Sequence, residues 1–222
     1  MIGYGHAMPE NMTMNRVIHA AVRRDLERLE TALRDARDGD TARAAGLARA
    51  YANLHRELTH HHEGEDRFVF PFLAEGGTDA GLLEAMDDEH HAMAEALADT
   101  RTAMATYASS GSAGDAERAR ASVARTREVV NRHLDHEERD LEPLIAPYLE
   151  SAGWKAVEKQ LRPKSLAVTG QFLAWIQDGM TDEGRAHLRG TIPAPVTAVL
   201  GRVAGRAYHR DIAPVWRRPA TG

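Results

Sequence analysis

Apolar residues recur every three or four positions along most of residues 14–149, which is the period of an amphipathic α-helix. This pattern predicts four long helices separated by short turns that contain glycine. The predicted helices cover residues 14–37, 41–71, 78–108 and 115–149. Because the connections are short, consecutive helices should pack side by side in opposite directions. The sequence therefore predicts an all-α fold built on an antiparallel up-down-up-down four-helix bundle.

The hydrophobic pattern becomes shorter and more irregular after residue 150. All three tryptophans of the chain lie in this part, together with several prolines that interrupt the helical periodicity. The clearest helical stretches are residues 165–177 and 195–208. We therefore predict a bundle domain over residues 1–150 and a C-terminal helical extension over residues 151–222 that packs on the bundle.

The apolar face of the second predicted helix contains two residues with ionisable side chains. His61 and Glu65 are four positions apart, so they share one helix face. Leu58 and Val69 extend the same face on either side. A carboxylate that faces a bundle core is costly unless it is paired or bound to a cation. The pair therefore indicates a cation site.

The fourth predicted helix repeats this arrangement with His133 and Glu137. Pro71 and Pro143 each follow their glutamate by six residues. The neighbouring apolar positions also match when the two histidines are aligned. The repeat indicates an internal duplication, or a bundle with approximate two-fold symmetry.

The first and third helices each contribute one inward histidine. The apolar positions that follow His19 correspond to those that follow His90, whereas an alignment from His91 gives a poorer apolar stripe. Asn15 and Met86 both lie four residues before the aligned histidine. We therefore predict that His90 faces inward and that His91 faces solvent.

The composition restricts the chemistry of such a site. Hydrophobic residues make up 43% of the chain but aromatic residues only 5%, a balance that favours helices over strands. The chain has no cysteine, which excludes disulfides, thiolate metal sites and iron–sulfur clusters. A metal must then be held by histidine, carboxylate or water, the ligands typical of non-heme iron, manganese or zinc.

Charge and hydropathy also limit the partners. A formal net charge of −5 argues against a nucleic-acid surface. No apolar run approaches the ~18 residues needed to span a membrane, and the first residues do not have the pattern of an export signal. We therefore expect neither a nucleic-acid nor a membrane partner, and a cytoplasmic location.

The inward residues of the four helices form one set of predicted metal ligands. These are His19, His61, Glu65, His90, His133 and Glu137. Such a set can hold two ions bridged by carboxylate and by oxo, hydroxo or water, and it suits iron. It does not saturate two octahedral ions, so a small exogenous ligand can bind. The aliphatic surroundings, with Met93, favour an uncharged diatomic molecule.

At these residues the sequence resembles the hemerythrin HHE cation-binding family over about residues 12–149. The resemblance is carried by four segments in order: His19 with the following Arg-Arg-Asp-Leu, His61-x-x-x-Glu65 before Phe-Pro, Glu89-His90, and His133-x-x-x-Glu137-Glu138 before Pro143. It implies an up-down-up-down bundle with a non-heme di-iron centre that handles dioxygen, nitric oxide or peroxide.

The chain departs from the oxygen-carrying hemerythrins at one position. Those proteins have a second histidine one turn after the third-helix ligand, where this chain has Ala94. The difference argues against simple reversible oxygen carriage and favours sensing, redox or peroxide chemistry. His62 is an additional candidate ligand that could fill the gap, although a position in solvent or behind the ligands is the preferred prediction for it.

Three other functions compete with a di-iron centre. The main alternative function is a bundle that binds zinc or a single iron without turnover, for metal storage, sensing or structure. A ferritin-like oxidase is rejected because its Glu-x-x-His motif occurs cleanly only at Glu57–His60, off the apolar face. A metal-free bundle would bury two carboxylates without partners. Turnover and a redox partner are left open.

The remaining candidates are predicted to lie outside the site. His60 should be exposed, and His136 and Glu138 should lie at the surface or behind the ligands. Tyr51 is predicted to be an ordinary core residue. Four further histidines are predicted to be structural or exposed: His6, His55, His187 and His209.

Overall fold

The computed structural model describes residues 12–163 and 165–217, and every regular element in these ranges is helical. The predicted all-α fold is confirmed. No helix within these ranges is both long enough and apolar enough to cross a membrane.

Four long helices form the bundle: α1 (Met14–Arg34), α2 (Thr41–Gly64), α4 (Ala80–Ser110) and α5 (Ala113–His136). A π-helical turn, Glu65–Val69, joins α2 to the short helix α3 (Phe70–Glu75). A second π-helical turn, Glu137–Leu141, joins α5 to α6 (Glu142–Ile145), which a 3₁₀ turn, Ala146–Tyr148, follows. The two halves of the bundle therefore share the same irregular ending.

Side-chain caps fix where the long helices begin. Thr13, Asp40, Asp79 and Ser112 each accept a hydrogen bond from the backbone N–H three residues ahead. Gly111 ends α4 with a φ of 63°, a left-handed conformation that favours glycine. The connection predicted at residues 109–114 is therefore only two residues long.

The prediction that Pro71 breaks the second helix was wrong. In the π-helical turn before it, the Phe70 N–H bonds to the Glu65 carbonyl five residues back. A new α-helix starts at this point, and Pro71 occupies its first turn, where a missing N–H costs little. Pro143 is placed in the same way after Glu137, so the predicted helix over residues 115–149 is not continuous.

Contacts across the bundle show how the helices face one another. His19 near the start of α1 contacts His61 near the end of α2, and Thr100 in the second half of α4 contacts Ser122 in the first half of α5. The start of α1 therefore lies beside the end of α2, and the second half of α4 lies beside the first half of α5, while the up-down order of all four helices stays a prediction. Their inward faces form an aliphatic core that includes Leu26, Leu29, Leu47, Leu54, Leu58, Met93, Val123, Val130 and Leu134.

The C-terminal segment contains more helices than the sequence predicted. They are α7 (Ala152–Leu161), α8 (Leu166–Gln177), α9 (Asp182–Thr191), α10 (Ala194–Val199), a π-helical turn (Leu200–Ala204), α11 (Arg206–Asp211) and α12 (Ala213–Trp216). Trp175 is fully buried, and its Nε1 donates to Asp25 of α1 at 2.8 Å. The segment and the bundle share one core, so the division at residue 150 stays a prediction.

Gly170 allows α8 to pack closely against the π-helical turn Leu200–Ala204. A Cβ at Gly170 would lie 2.3 Å from Ala204 Cβ and 2.6 Å from the Ala204 carbonyl carbon. Because overpacking typically costs about 1–3 kcal/mol, we expect Gly170→Ala to lower the free energy of unfolding by about 3 kcal/mol. Urea denaturation measures this change.

Gly114 provides the matched control for Gly170→Ala. It lies in the first turn of α5, where an added Cβ would meet only the Arg118 side chain, at 3.8 Å. Gly114→Ala should leave stability unchanged or raise it by up to about 1 kcal/mol. Equal effects of the two substitutions would contradict the proposed close contact.

Candidate metal centre

Seven ionisable side chains converge at one end of the bundle. All six predicted ligands are among them, and His62 is the seventh. The set comprises His19 on α1, His61 and His62 on α2, His90 on α4, His133 on α5, and Glu65 and Glu137 at the start of the two π-helical turns. Six of them are less than 9% exposed, and His61 is partly buried.

The potential ligand atoms fall into two adjoining groups, each within 4.8 Å. One group contains His19, His61 and Glu137, and the other contains His62, His90 and His133. A third set of the same size, His61, His62 and Glu65, links the two. The arrangement offers two neighbouring positions for a cation.

Each carboxylate reaches one histidine of each group. Glu137 Oε2 lies 3.2 Å from His19 Nε2 and 3.7 Å from His133 Nε2. Glu65 Oε1 lies 3.3 Å from His61 Nε2, and its Oε2 lies 3.7 Å from His90 Nε2. Both glutamates are therefore placed to bridge the two positions.

Three buried atoms of the site make no hydrogen bond within the described ranges. They are His62 Nε2, Glu65 Oε2 and Glu137 Oε2. Buried polar atoms in folded proteins nearly always have a partner. Cations in the two positions would give these atoms partners, and imidazole with carboxylate is a donor set that suits iron, manganese or zinc. The residues present thus fit a metal.

The comparison with protein families agrees with this geometry. The model of the Hemerythrin HHE cation binding domain matches residues 15–145, more than half of the 222-residue chain and a range that includes all seven side chains. The chain belongs to the hemerythrin HHE cation-binding family. No curated protein and no solved structure matched it in two further comparisons.

Outer carboxylates orient three histidines of the HHE domain. His19 Nδ1 donates to Glu138 at 2.8 Å, His90 Nδ1 donates to Asp66 at 2.6 Å, and His133 Nδ1 donates to Glu89 at 2.9 Å. A histidine that donates through Nδ1 presents Nε2, with its lone pair, to the interior of the site. Such contacts fix the ring and raise its basicity as a ligand.

Sequence reasoning had placed Glu138 at the surface or behind the ligands, and it lies behind His19. It had missed the roles of Asp66 and Glu89. The sequence did contain a sign of the role of Asp66. This residue follows Glu65 directly, just as Glu138 follows Glu137 in the second copy of the repeated motif. His136 also contacts Glu89, at 2.9 Å between its Nδ1 and the second carboxylate oxygen.

Replacing Asp66 by asparagine should weaken metal binding about 10- to 100-fold, because the charged partner that orients His90 is removed. A zinc titration against a chelator of known affinity measures the change. Asp87→Asn is the matched control, because Asp87 lies 3.6 Å from the exposed His91, outside the site. Equal affinities of the two variants would contradict the role given to Asp66.

Burial and neighbouring charges shift the histidine pKa values in opposite directions. Burial, together with the nearby histidines, lowers the pKa of His61 to about 3, and burial lowers the pKa of His62 well below its ordinary value. Burial also acts against protonation of His19, but Glu137 and Glu138 outweigh it and raise the pKa of His19 to about 9. Without metal, His19 is therefore charged at neutral pH, whereas His61 and His62 are neutral.

The pKa values of the two glutamates, Glu65 and Glu137, are also shifted in opposite directions. Burial raises the pKa of Glu65 well above its ordinary value, and the negative charge of Glu137 adds to this effect. Burial acts in the same direction on Glu137, but His19, His61 and His133 outweigh it and lower the pKa of this carboxyl. The proton-bound form is therefore favoured more at Glu65 than at Glu137, and a metal cation would compete with a proton at Glu65.

His62 does not lie in solvent, one of the two positions preferred for it, and its role as a ligand stays a prediction. Its side chain is buried, and its ring stacks on that of His90 at a centroid distance of 4.3 Å. Residues 61 and 62 lie about 100° apart around the helix, so both fit on an inward face of that width.

The other candidates lie away from the centre. His60, His91 and His209 are exposed, and His55 and His187 are half-buried. Tyr51 is buried, and its hydroxyl donates to the Leu97 carbonyl. His6 lies outside the described residues.

Proposed function

We propose that the HHE domain holds two iron ions and that this centre binds or reacts with a small oxidant such as dioxygen, nitric oxide or peroxide. The observation that carries the proposal is the position of Glu65 and Glu137. Each carboxylate lies between the two histidine groups, and each has a buried oxygen without a hydrogen-bond partner. Carboxylates in such positions are suited to bridging two cations.

The donor set supports iron as the metal. Five imidazoles and two carboxylates suit a non-heme iron pair, and the absence of cysteine excludes thiolate sites. Bound iron would supply reversible one-electron chemistry and a coordination position for a small molecule. Even with both carboxylates bridging, seven side chains leave positions of two six-coordinate ions unfilled.

The surroundings favour a small uncharged ligand. Leu58, Val130, Val22 and Met93 lie three residues from His61, His133, His19 and His90, respectively, and all four apolar side chains are fully buried. A charged molecule would lose its hydration next to these side chains, whereas a neutral diatomic molecule or hydrogen peroxide loses much less.

A second function is favoured by the group His62, His90 and His133. Three imidazoles around one position are also a common set of ligands for zinc. In this alternative, the domain holds zinc or one iron and carries out no turnover, serving in metal storage, sensing or structure.

A spectroscopic experiment separates the two functions. Metal-free protein is loaded with ferrous iron without oxygen, and its spectrum is recorded before and after hydrogen peroxide and then dithionite. The di-iron function predicts near-ultraviolet charge-transfer bands that appear with peroxide and disappear with dithionite. Zinc-loaded protein is the control and should show neither change. An iron-loaded sample that behaves like the zinc sample would favour the second function.

A further inference from the structure

The two halves of the metal centre are alike in most contacts. Asp66 follows Glu65 and accepts a hydrogen bond from His90, whereas Glu138 follows Glu137 and accepts one from His19. The corresponding positions one turn before these histidines differ, however: Asn15 precedes His19, and Met86 precedes His90.

Asn15 makes the two oxygens of Glu137 different. Its side-chain amide Nδ2 donates to Glu137 Oε1 at 2.9 Å. The other oxygen, Oε2, is the one without a hydrogen bond, and it lies 3.2 Å from His19 Nε2. One oxygen of this carboxylate is thus engaged by α1, and the other faces the cation positions.

Glu65 has no amide partner of this kind. Within residues 12–163 and 165–217, its carboxyl group contacts the carboxyl group of Glu137, and its two oxygens lie 3.3 Å from His61 Nε2 and 3.7 Å from His90 Nε2. Met86, the counterpart of Asn15, is fully buried and has no N–H in its side chain. Glu65 can therefore offer both oxygens to the cations.

We propose that Asn15 is a positioning residue that restricts Glu137 to bridging the two cation positions through Oε2 alone, while Glu65 uses one oxygen for each position. This inference rests on the proposed di-iron function. A hydrogen bond to an ionised carboxylate is stronger than one between neutral groups, so it can fix the carboxylate rotamer and occupy Oε1. The two carboxylates consequently bind in different modes, and this difference adds to the additional histidine, His62, of one ligand group.

Asn15→Leu tests the inference because leucine has a similar volume and no donor. The protein is loaded with ⁵⁷Fe, and its Mössbauer spectrum and carboxylate infrared bands are compared with those of the wild type. We expect two irons per chain in both proteins, a changed quadrupole splitting for one iron in Asn15→Leu, and a smaller separation of the Glu137 carboxylate stretches. Asn15→Gln, which keeps an amide donor, should restore the wild-type spectra.

Met86→Leu is the matched control at the corresponding position of α4, and it should leave both spectra unchanged. Unchanged spectra in Asn15→Leu, or identical changes in Met86→Leu, would overturn the role of Asn15. Loss of iron from Asn15→Leu would overturn it too, because the inference predicts an altered binding mode with both ions kept. If Asn15→Leu does not fold, Asn15→Ser, whose hydroxyl is too short to reach Glu137, replaces it.

The same samples distinguish failure of this inference from failure of the proposed function. A wild-type protein that holds fewer than two irons contradicts the di-iron function itself. If the wild-type protein holds two irons but the variants give the same spectra as the wild type, only the role of Asn15 is contradicted.

Discussion

Replacing His61 and His133 together by alanine is expected to abolish metal binding by the HHE domain. Each substitution takes one imidazole from a different candidate ligand group, and each also removes a nitrogen next to a glutamate of the site. The ions would be left with incomplete coordination in a buried site. Metal analysis after growth with iron measures the loss.

His60→Ala with His91→Ala is the matched control for the double substitution. These two histidines lie next to ligand candidates in the sequence but are exposed. The control protein should keep the metal content of the wild type. Circular dichroism should show that both double variants are folded. Full retention of metal in His61→Ala/His133→Ala would contradict the site.

Acidification should strongly destabilise the metal-free protein. The pKa of His61 is about 3 in the folded state, against an ordinary value of 6.5, so only the unfolded chain takes up this proton as the pH falls below 6.5. Stability is therefore lost as the pH falls through this window. At pH 5 the loss is about 2 kcal/mol for His61 alone, and His62 acts in the same direction. Glu65 acts in the opposite direction because its pKa is raised in the folded state, but the two imidazoles together outweigh this one carboxyl group.

The contribution of His19 to the stability of the folded protein depends on pH in the opposite way. Its pKa is raised to about 9 in the folded protein, so its contribution to stability is complete below pH 6.5 and is lost as the pH rises through 9. The metal-free protein should consequently be most stable near pH 6.5. Urea denaturation at pH 5, 6.5 and 9 checks this expectation, and constant stability between pH 5 and 6.5 would contradict the burial of neutral His61 and His62.

The inward histidines and glutamates could be predicted because helical periodicity alone determines which residues share a face. His19, His61, His90 and His133 all continue apolar stripes, and His90 could be distinguished from His91 by the positions that follow it. The inward position of His62 was harder to predict, because the spacing of apolar residues does not show how wide the inward face of the helix is. Its position depends on how closely α4 and α5 approach α2.

The outer carboxylates could not be assigned from periodicity. Asp66 and Glu89 lie beside the inward face of the bundle rather than on it. The sequence does not show whether a side chain in such a position reaches the neighbouring helix. The π-helical turns were also missed, because a single additional residue in a turn changes the helical period too little to notice. Both turns begin at a glutamate of the site, and π-helical turns are frequent at functional sites.

The C-terminal helices were under-predicted for a different reason. Their apolar residues pack on the bundle and on one another over short stretches, so few show a full amphipathic period. The contact between Trp175 and Asp25 joins residues 150 positions apart, and no local pattern indicates it.

The most direct test of the account is the metal content of the wild-type protein, purified without chelator after growth with iron and related to protein concentration by amino-acid analysis. The position of Glu65 and Glu137 between two histidine groups predicts two irons per chain. One metal ion per chain, or zinc in place of iron when both are supplied, would contradict the di-iron centre.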